Sequence, residues 1–115
     1  MTLPKYRPWR SRRYLDWVKT CQCVLTGAPA DDPHHGIGIG LGGMGTKAPD
    51  WAVLPVTRSA HNRFHNEPEL WPCQWKHIAD TLHLAILSGQ ITVHPDRVED
   101  FSRMIGMALD EGVLR

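Results

Sequence analysis

Two short apolar stretches on either side of a glycine-rich segment predict a β-hairpin. Residues 34–38 and the run Trp51-Ala52-Val53-Leu54-Pro55-Val56 have the length and composition of strands. The segment 40–47 between them contains the glycines of a long connecting loop. The pattern therefore indicates two paired strands that are joined by an extended connection.

A helix that carries two histidines is predicted directly after the hairpin. His61 and His65 are four residues apart, which places both imidazoles on one face of a helix. Ser59, a short hydroxyl side chain ahead of the first histidine, is the expected N-cap. The order strand, long loop, strand, helix thus ends with two imidazoles side by side.

Three further apolar stripes have helical spacing. Tyr14, Trp17 and Val18 predict a short helix before the hairpin. Two longer helices are predicted after the histidine helix, and Gly89 is the expected stop of the first. Their stripes consist of Ile78, Leu82, Ala85 and Ile86, and of Val98, Phe101, Met104, Ile105, Ala108 and Leu109. Because such stripes mostly pack in cores, we predict an α+β fold with one N-terminal and two C-terminal helices around the hairpin.

The length of 115 residues suits one compact domain and is too short for two. We divide the chain into a basic N-terminal arm, residues 1–13, and a single domain, residues 14–115. Hydrophobic residues make up 42% and charged residues 22%, which is typical of a soluble globular protein. The sequence lacks both an apolar run of about 18 residues and the apolar region of a secretory signal, so we expect a cytoplasmic protein without a membrane partner.

Positive charge is concentrated near the N-terminus, although the formal net charge is only +1. The arm contains five basic side chains and no acid, and these candidate phosphate contacts are Lys5, Arg7, Arg10, Arg12 and Arg13. Aromatic side chains that can stack on bases lie among them, namely Tyr6, Trp9 and Tyr14. The basic surface would extend toward the histidines through Lys47, Arg58 and Arg63. We expect DNA binding with little sequence preference, because phosphate contacts position a protein on DNA but do not read the base sequence. The alternative is that the arm is a solvated terminus without a DNA-binding role.

Four of the seven histidines lie between His34 and His65, and this clustering is the strongest functional signal in the sequence. A hairpin strand and a packed helix can bring His34, His61 and His65 to one point, where they would hold one divalent ion. The candidate ions are zinc, magnesium, manganese and nickel. Adjacent strand residues point to opposite faces, so His35 would remain unligated and could act as the general base. The pleat also allows the reverse assignment of His34 and His35.

Several motifs resemble the HNH endonuclease superfamily, and specifically the phage recombination-enhancement (Ref) nucleases and their prophage relatives. The similarity begins near Tyr14 and runs through His65. The matching motifs are Pro29-Ala30-Asp31-Asp32-Pro33-His34-His35, Gly42-Gly43-Met44-Gly45-Thr46-Lys47-Ala48, Pro49-Asp50, Leu54-Pro55, and His61 with His65. The final residues 108–114 are similar as well.

This resemblance implies a metal-dependent DNA endonuclease with a ββα-metal, treble-clef-like core, in which His35 activates water. Asp50 takes the position where HNH enzymes often place an asparagine that orients the hairpin loop, which makes it a candidate catalytic residue. The resemblance also implies a phage- or prophage-encoded protein that acts in the bacterial host cell. DNA is the expected partner, and RecA-coated DNA is a further candidate because Ref nucleases cut DNA in the RecA filament.

The sequence departs from this family at a second, structural zinc site. The positions of its four ligands read Cys23-x2-Thr26 and Thr57-x2-Ala60, so three of the four ligands are missing. Either apolar packing replaces the ion, or a second metal site is rebuilt elsewhere. Cys-x-Cys and Cys-x3-His spacings offer one such site, composed of Cys21, Cys23, Cys73 and His77. The alternative is that these thiols are buried or idle.

A second functional class is also compatible with the sequence, namely a non-catalytic, metal-stabilised DNA-binding or adaptor module. A purely structural site needs His34, His61 and His65 but no additional imidazole, so His35 favours the nuclease. A third hypothesis is a nuclease that becomes active only when a recombination protein loads it.

Overall fold

The computed structural model describes residues 9–39, 48–93 and 109–110. These stretches contain, in chain order, α1 (Arg12–Val18), β1 (Asp32–His35), β2 (Val53–Val56), α2 (Arg58–Asn66), a 3₁₀ helix (Pro68–Cys73), α3 (Gln74–Leu87), β3 (Thr92–Val93) and β4 (Leu109–Asp110). The predicted α+β class is confirmed.

The hairpin of β1 and β2 is antiparallel and forms the centre of the described structure. His34 pairs with Leu54, and His35 pairs with Val53. Every residue of β2 is buried because α1, α2 and α3 all pack against it. Since consecutive side chains of a strand alternate between its two faces, His34 and His35 point to different sides of the hairpin.

The junction between β2 and α2 is one residue long. Thr57 is the N-cap of α2, with its hydroxyl accepting a hydrogen bond from the Ala60 amide at 3.2 Å, so the prediction of Ser59 as the cap is wrong. The Arg58 amide donates to a carboxylate oxygen of Asp31 at 2.9 Å, which satisfies a second free donor at this end. The helix therefore starts immediately after the strand, and its histidines are held in a fixed position relative to the hairpin.

The first helix starts earlier than the division into arm and domain suggests. Ser11 caps α1 by accepting a hydrogen bond from the Tyr14 amide at 3.0 Å, so Arg12 and Arg13 lie in the first helical turn. Tyr14 is only 2% exposed and stacks against Trp17. The prediction that Tyr14 can stack on a nucleic-acid base is therefore wrong, because the ring belongs to the core.

The long helix α3 buries most of the predicted stripe. Ile78, Leu82 and Ala85 are buried, whereas Ile86 is 41% exposed, so its assignment to the core is wrong. The helix ends at Leu87, and Gly89 follows with a φ of +77°, as expected for a glycine that stops a helix.

The second predicted C-terminal helix falls mostly on residues 94–108, which lie outside the described residues. The backbone of Leu109 is in β4, paired with Val93. The prediction that the helix reaches Leu109 is therefore wrong, because pairing with β3 determines the conformation there.

None of the helices in the described stretches has both the length and the apolar character that a membrane span requires.

The tight contact between Gly38 and Trp71 generates a stability prediction. Gly38 has a φ of +69°, and a Cβ there would overlap the Trp71 ring, which is held by a 2.8 Å hydrogen bond to the Phe64 carbonyl. We expect Gly38→Ala to lower the free energy of unfolding by about 3 kcal/mol, through backbone strain and overpacking together.

Gly27 is the matched control for this substitution, because it has a φ of +75° and an added Cβ would meet nothing within 4 Å. We expect Gly27→Ala to cost only about 1 kcal/mol, from the left-handed backbone alone. Urea denaturation measures both values. Equal losses in the two variants would contradict the proposed packing of Trp71 on Gly38.

Candidate metal centre

Three imidazoles meet where β1 faces α2. One ligand nitrogen each of His34, His61 and His65 lies within 4.8 Å of the other two. Nitrogens on one tetrahedral ion are about 3.4 Å apart, as bond lengths of about 2.0–2.1 Å require. The structure thus brings together the three residues that the sequence assigned as ligands.

His34 is the most buried of the three, at 1% exposure. Its ring stacks on Phe64 with centroids 5.0 Å apart, and its Nε2 lies 3.0 Å from the side-chain oxygen of Gln74. Burial lowers the pKa of His34 to about 4 against the opposing effect of the bond to Gln74, so the ring is neutral at pH 7. Its Nδ1 is buried and has no hydrogen-bond partner among the described residues. A bare buried nitrogen is costly unless a ligand satisfies it, which is what a bound cation would do.

His61 is oriented by a carboxylate. Its Nδ1 lies 3.0 Å from Asp32 Oδ2, which leaves Nε2 available for a metal. The two hydrogen bonds from Arg58 lower the pKa of Asp32 to about 2, and the bond to His61 acts in the same direction. Asp32 is therefore ionised and can only accept. A carboxylate on the outer nitrogen of an imidazole is typical of metal-ligating histidines, because it fixes the ring and its tautomer.

His35 and Asp50 form a pair beside the cluster. His35 Nε2 lies 2.7 Å from Asp50 Oδ1, and the His35 side chain is 18% exposed. Burial alone would raise the pKa of Asp50, but hydrogen bonds from His35, Ser11 and Arg10 outweigh it, so the pKa lies below its usual value. Asp50 is therefore a carboxylate that accepts the Nε2 proton of His35. The Nδ1 of His35 remains available to accept a proton from water.

The end of the N-terminal arm holds Asp50 in place. The Ser11 amide donates to Asp50 Oδ2 at 2.9 Å, and the Asp50 amide donates to the Trp9 carbonyl at 2.9 Å. Arg10 donates to the Ala48 carbonyl at 2.7 Å and to Asp50 Oδ1 at 3.2 Å. Arg10, one of the predicted DNA contacts, thus bonds within the protein, while 43% of its side chain remains exposed. Sequence reasoning missed this anchor because a count of basic residues does not reveal their partners.

A cavity of about 940 Å³ opens onto the histidines. Its lining includes Arg12 and Asp16 from α1 and Lys19 at its C-cap, Asp32, His34 and His35 from β1, and Arg58, His61 and His65 from α2. The side chains of Arg12 and Lys19 share Asp16, at 3.6 and 3.4 Å. Lys19 is a basic residue at the cavity that sequence reasoning missed.

The other predicted DNA contacts have varied surroundings. Arg58 bonds Asp32 at 2.7 and 3.0 Å, and Arg63 bonds Glu67 at 2.9 and 3.1 Å, so both guanidinium groups are paired with carboxylates. Arg13 is exposed on α1. Three of the predicted contacts lie outside the described residues, namely Lys5, Arg7 and Lys47.

The structure does not bring together the second metal site predicted from the cysteines. No three of its four residues, all of which the structure describes, bring their ligand atoms together; these are Cys21, Cys23, Cys73 and His77. The thiol of Cys21 contacts the Trp17 carbonyl, and that of Cys73 contacts the Leu70 carbonyl. Cys23 is buried, with its sulfur 3.8 Å from the Thr57 hydroxyl. These thiols are tied to different local partners, which explains why they do not converge.

The buried, neutral state of His34 predicts an acid-sensitive fold. Between pH 6.5 and about 4 the unfolded chain binds a proton at this position that the folded chain does not, so the free energy of unfolding must fall as the pH falls. The expected slope from this group approaches about 1.4 kcal/mol per pH unit. Urea denaturation of the metal-free protein from pH 7 to 4 measures it.

His34→Gln is the comparison variant, because the glutamine amide can still donate to Gln74 but does not titrate. We expect a shallower pH dependence in this variant than in the wild type. An identical dependence in both proteins would contradict the assignment of the acid sensitivity to His34.

Comparison with known proteins identifies a family without assigning an activity. The family model described as "Protein of unknown function (DUF968)" matches residues 1–89. The uncharacterized protein YdfU of Escherichia coli (strain K12) is 57% identical over 67 residues, which are 58% of this chain and 19% of that protein. No solved structure matches the chain. Because the family model covers residues 1–89, most of the sequence, the chain belongs to the DUF968 family.

Proposed function

We propose that this protein is a metal-dependent DNA endonuclease with a ββα-metal core of the HNH type. The observation that carries the proposal is the bare, buried Nδ1 of His34 in a cluster of three imidazoles, next to the His35–Asp50 pair. The order of β1, β2 and α2 supports it, because the ligands would come from the first strand and from the helix.

The donor set favours some of the candidate ions over others. Three imidazole nitrogens suit zinc or nickel better than magnesium or manganese, which prefer oxygen ligands. When bound, the ion would polarise the phosphate and stabilise charge on the leaving oxygen. The residues of this chain that would hold it are His34, His61 and His65, with Asp32 orienting His61.

His35 is the proposed general base. Asp50 holds the protonated Nε2, so Nδ1 can take a proton from the attacking water while the carboxylate stabilises the imidazolium that forms. Asp50 acts through His35 and is itself held by Ser11 and Arg10. This arrangement gives one imidazole a role that a purely structural metal site does not need.

The cavity supports an extended, phosphate-bearing substrate. Arg12 and Lys19 lie on the wall formed by α1, and a phosphodiester backbone can compete with Asp16 for both of them. Such contacts bind without reading sequence. From the HNH resemblance we further propose DNA as the substrate, with RecA-coated DNA as a further candidate, and a phage- or prophage-encoded protein that acts in the bacterial host cell.

Metal binding is the first test. We expect the purified protein, stripped with a chelator, to bind one zinc ion per chain, and His61→Ala or His65→Ala to weaken binding by more than about 100-fold, since loss of an outer partner alone costs 10–100-fold. Calorimetry measures this. His83→Ala removes an exposed histidine of α3 and is the matched control. Wild-type affinity in both cluster variants would overturn the metal site.

Cleavage is the second test. Wild-type protein with zinc, manganese or nickel should nick supercoiled plasmid DNA, and His35→Ala should slow nicking by about 100-fold or more while zinc still binds, because general-base catalysis contributes about 10²–10⁴-fold. His83→Ala again serves as the control. Undiminished nicking by His35→Ala would rule out the assigned base. DNA binding without nicking under every metal would favour the non-catalytic DNA-binding module.

A further inference from the structure

The side chain of Gln74 is fully buried and connects α3 to β1 and to the residues that follow β1. Its Oε1 lies 3.1 Å from the Ile37 amide and 3.0 Å from His34 Nε2. Its Nε2 donates to the Ile37 carbonyl at 2.8 Å and to the Trp71 carbonyl at 2.9 Å. Every polar atom of this amide therefore has a partner.

These partners fix the orientation of the Gln74 amide. The carbonyls of Ile37 and Trp71 can only accept, so they must face the amide nitrogen. The backbone amide of Ile37 can only donate, so it must face the amide oxygen. If the amide were flipped, its nitrogen would face the Ile37 amide, donor against donor, and its oxygen would face the carbonyls of Ile37 and Trp71, acceptor against acceptor. The oxygen is therefore the atom that meets His34.

The fixed orientation determines the tautomer of His34. An amide oxygen cannot donate, so the hydrogen bond at 3.0 Å requires the proton to be on His34 Nε2. In the neutral ring, Nδ1 then carries the lone pair. This is the same nitrogen that is buried without a partner among the described residues. Gln74 thus presents His34 to the cluster in the one protonation pattern that can ligate through Nδ1.

We propose that Gln74 is a positioning residue that selects the Nδ1-ligating tautomer of His34 and ties this ligand to the backbone at Ile37. The part that concerns metal affinity rests on the proposed function, whereas the part that concerns the tautomer does not. Gln74 also holds the backbone of Ile37, the residue before Gly38, which packs against Trp71. The ligand and the backbone at Ile37 are therefore held by one side chain.

The tautomer is measured directly by long-range ¹H–¹⁵N NMR of the histidine rings in the metal-free protein. Wild-type His34 should be the Nε2–H tautomer. Gln74→Met has a similar shape but no acceptor, and it should populate both tautomers. Thr81→Val is the matched control, because Thr81 is also a buried polar residue of α3 but its hydroxyl bonds the His77 carbonyl of the same helix, at 2.7 Å. In the Thr81→Val variant, His34 should remain in the Nε2–H tautomer.

Gln74→Glu keeps the inference testable if Gln74→Met does not fold. A carboxylate still accepts from His34 and Ile37 but cannot donate to the carbonyls of Ile37 and Trp71, so the Nε2–H tautomer should persist in a less stable protein. An Nδ1–H tautomer in the wild type would overturn the proposal, whichever variants fold. An unchanged tautomer in folded Gln74→Met would overturn it as well.

Zinc affinity separates this inference from the proposed function. We expect Gln74→Met to bind zinc 10–100-fold more weakly than the wild type, as for other outer partners of ligating histidines, and Thr81→Val to remain within about twofold. Equal affinity of Gln74→Met and the wild type would overturn the positioning role while the metal site stands. No zinc binding by the wild type would overturn the metal site and the positioning role together, and the tautomer assignment would stand on its NMR result.

Discussion

The single residue between β2 and α2 is the constraint on which the candidate site depends. Because Thr57 ends the strand and caps the helix, α2 has no linker that would let it swing away from the hairpin. The antiparallel register then places His34 opposite Leu54, three residues before that junction. The distances between the strand histidine and the helix histidines therefore follow from backbone geometry.

Three histidines around the cavity each have one nitrogen occupied by an acceptor. His34 is held by an amide oxygen of Gln74, while His35 and His61 are held by ionised carboxylates. These acceptors come from three separate parts of the chain, so no single element builds the site. In each case the occupied nitrogen carries the proton and the other is left free. The same hydrogen-bonding pattern suits a metal ligand, as proposed for His34 and His61, and a general base, as proposed for His35. Only the position of each ring relative to the cluster distinguishes these two proposed roles.

Much of this could be predicted from sequence, and the failures have physical causes. The opposed faces of His34 and His35 follow from the period of a strand. The cap at Thr57 was missed because the end of β2, not local propensity, decides where the helix starts. Leu109 fits a helical stripe, but long-range pairing with β3 makes it extended. A lone amide such as Gln74 has no spacing that marks it, so only its four contacts reveal what it does.

The attachment of Asp50 to the residues before α1 affects how the basic arm can be studied. The segment that ends at Asp50 is hydrogen-bonded to Trp9, Arg10 and Ser11. These three residues therefore hold Asp50 in the position in which it bonds His35. A truncated chain that starts at Arg12 would lose three of the arm's five basic side chains and this support in a single step. Reduced cleavage by such a chain would look like weakened attraction to nucleic acid, even if the true defect were an untethered carboxylate.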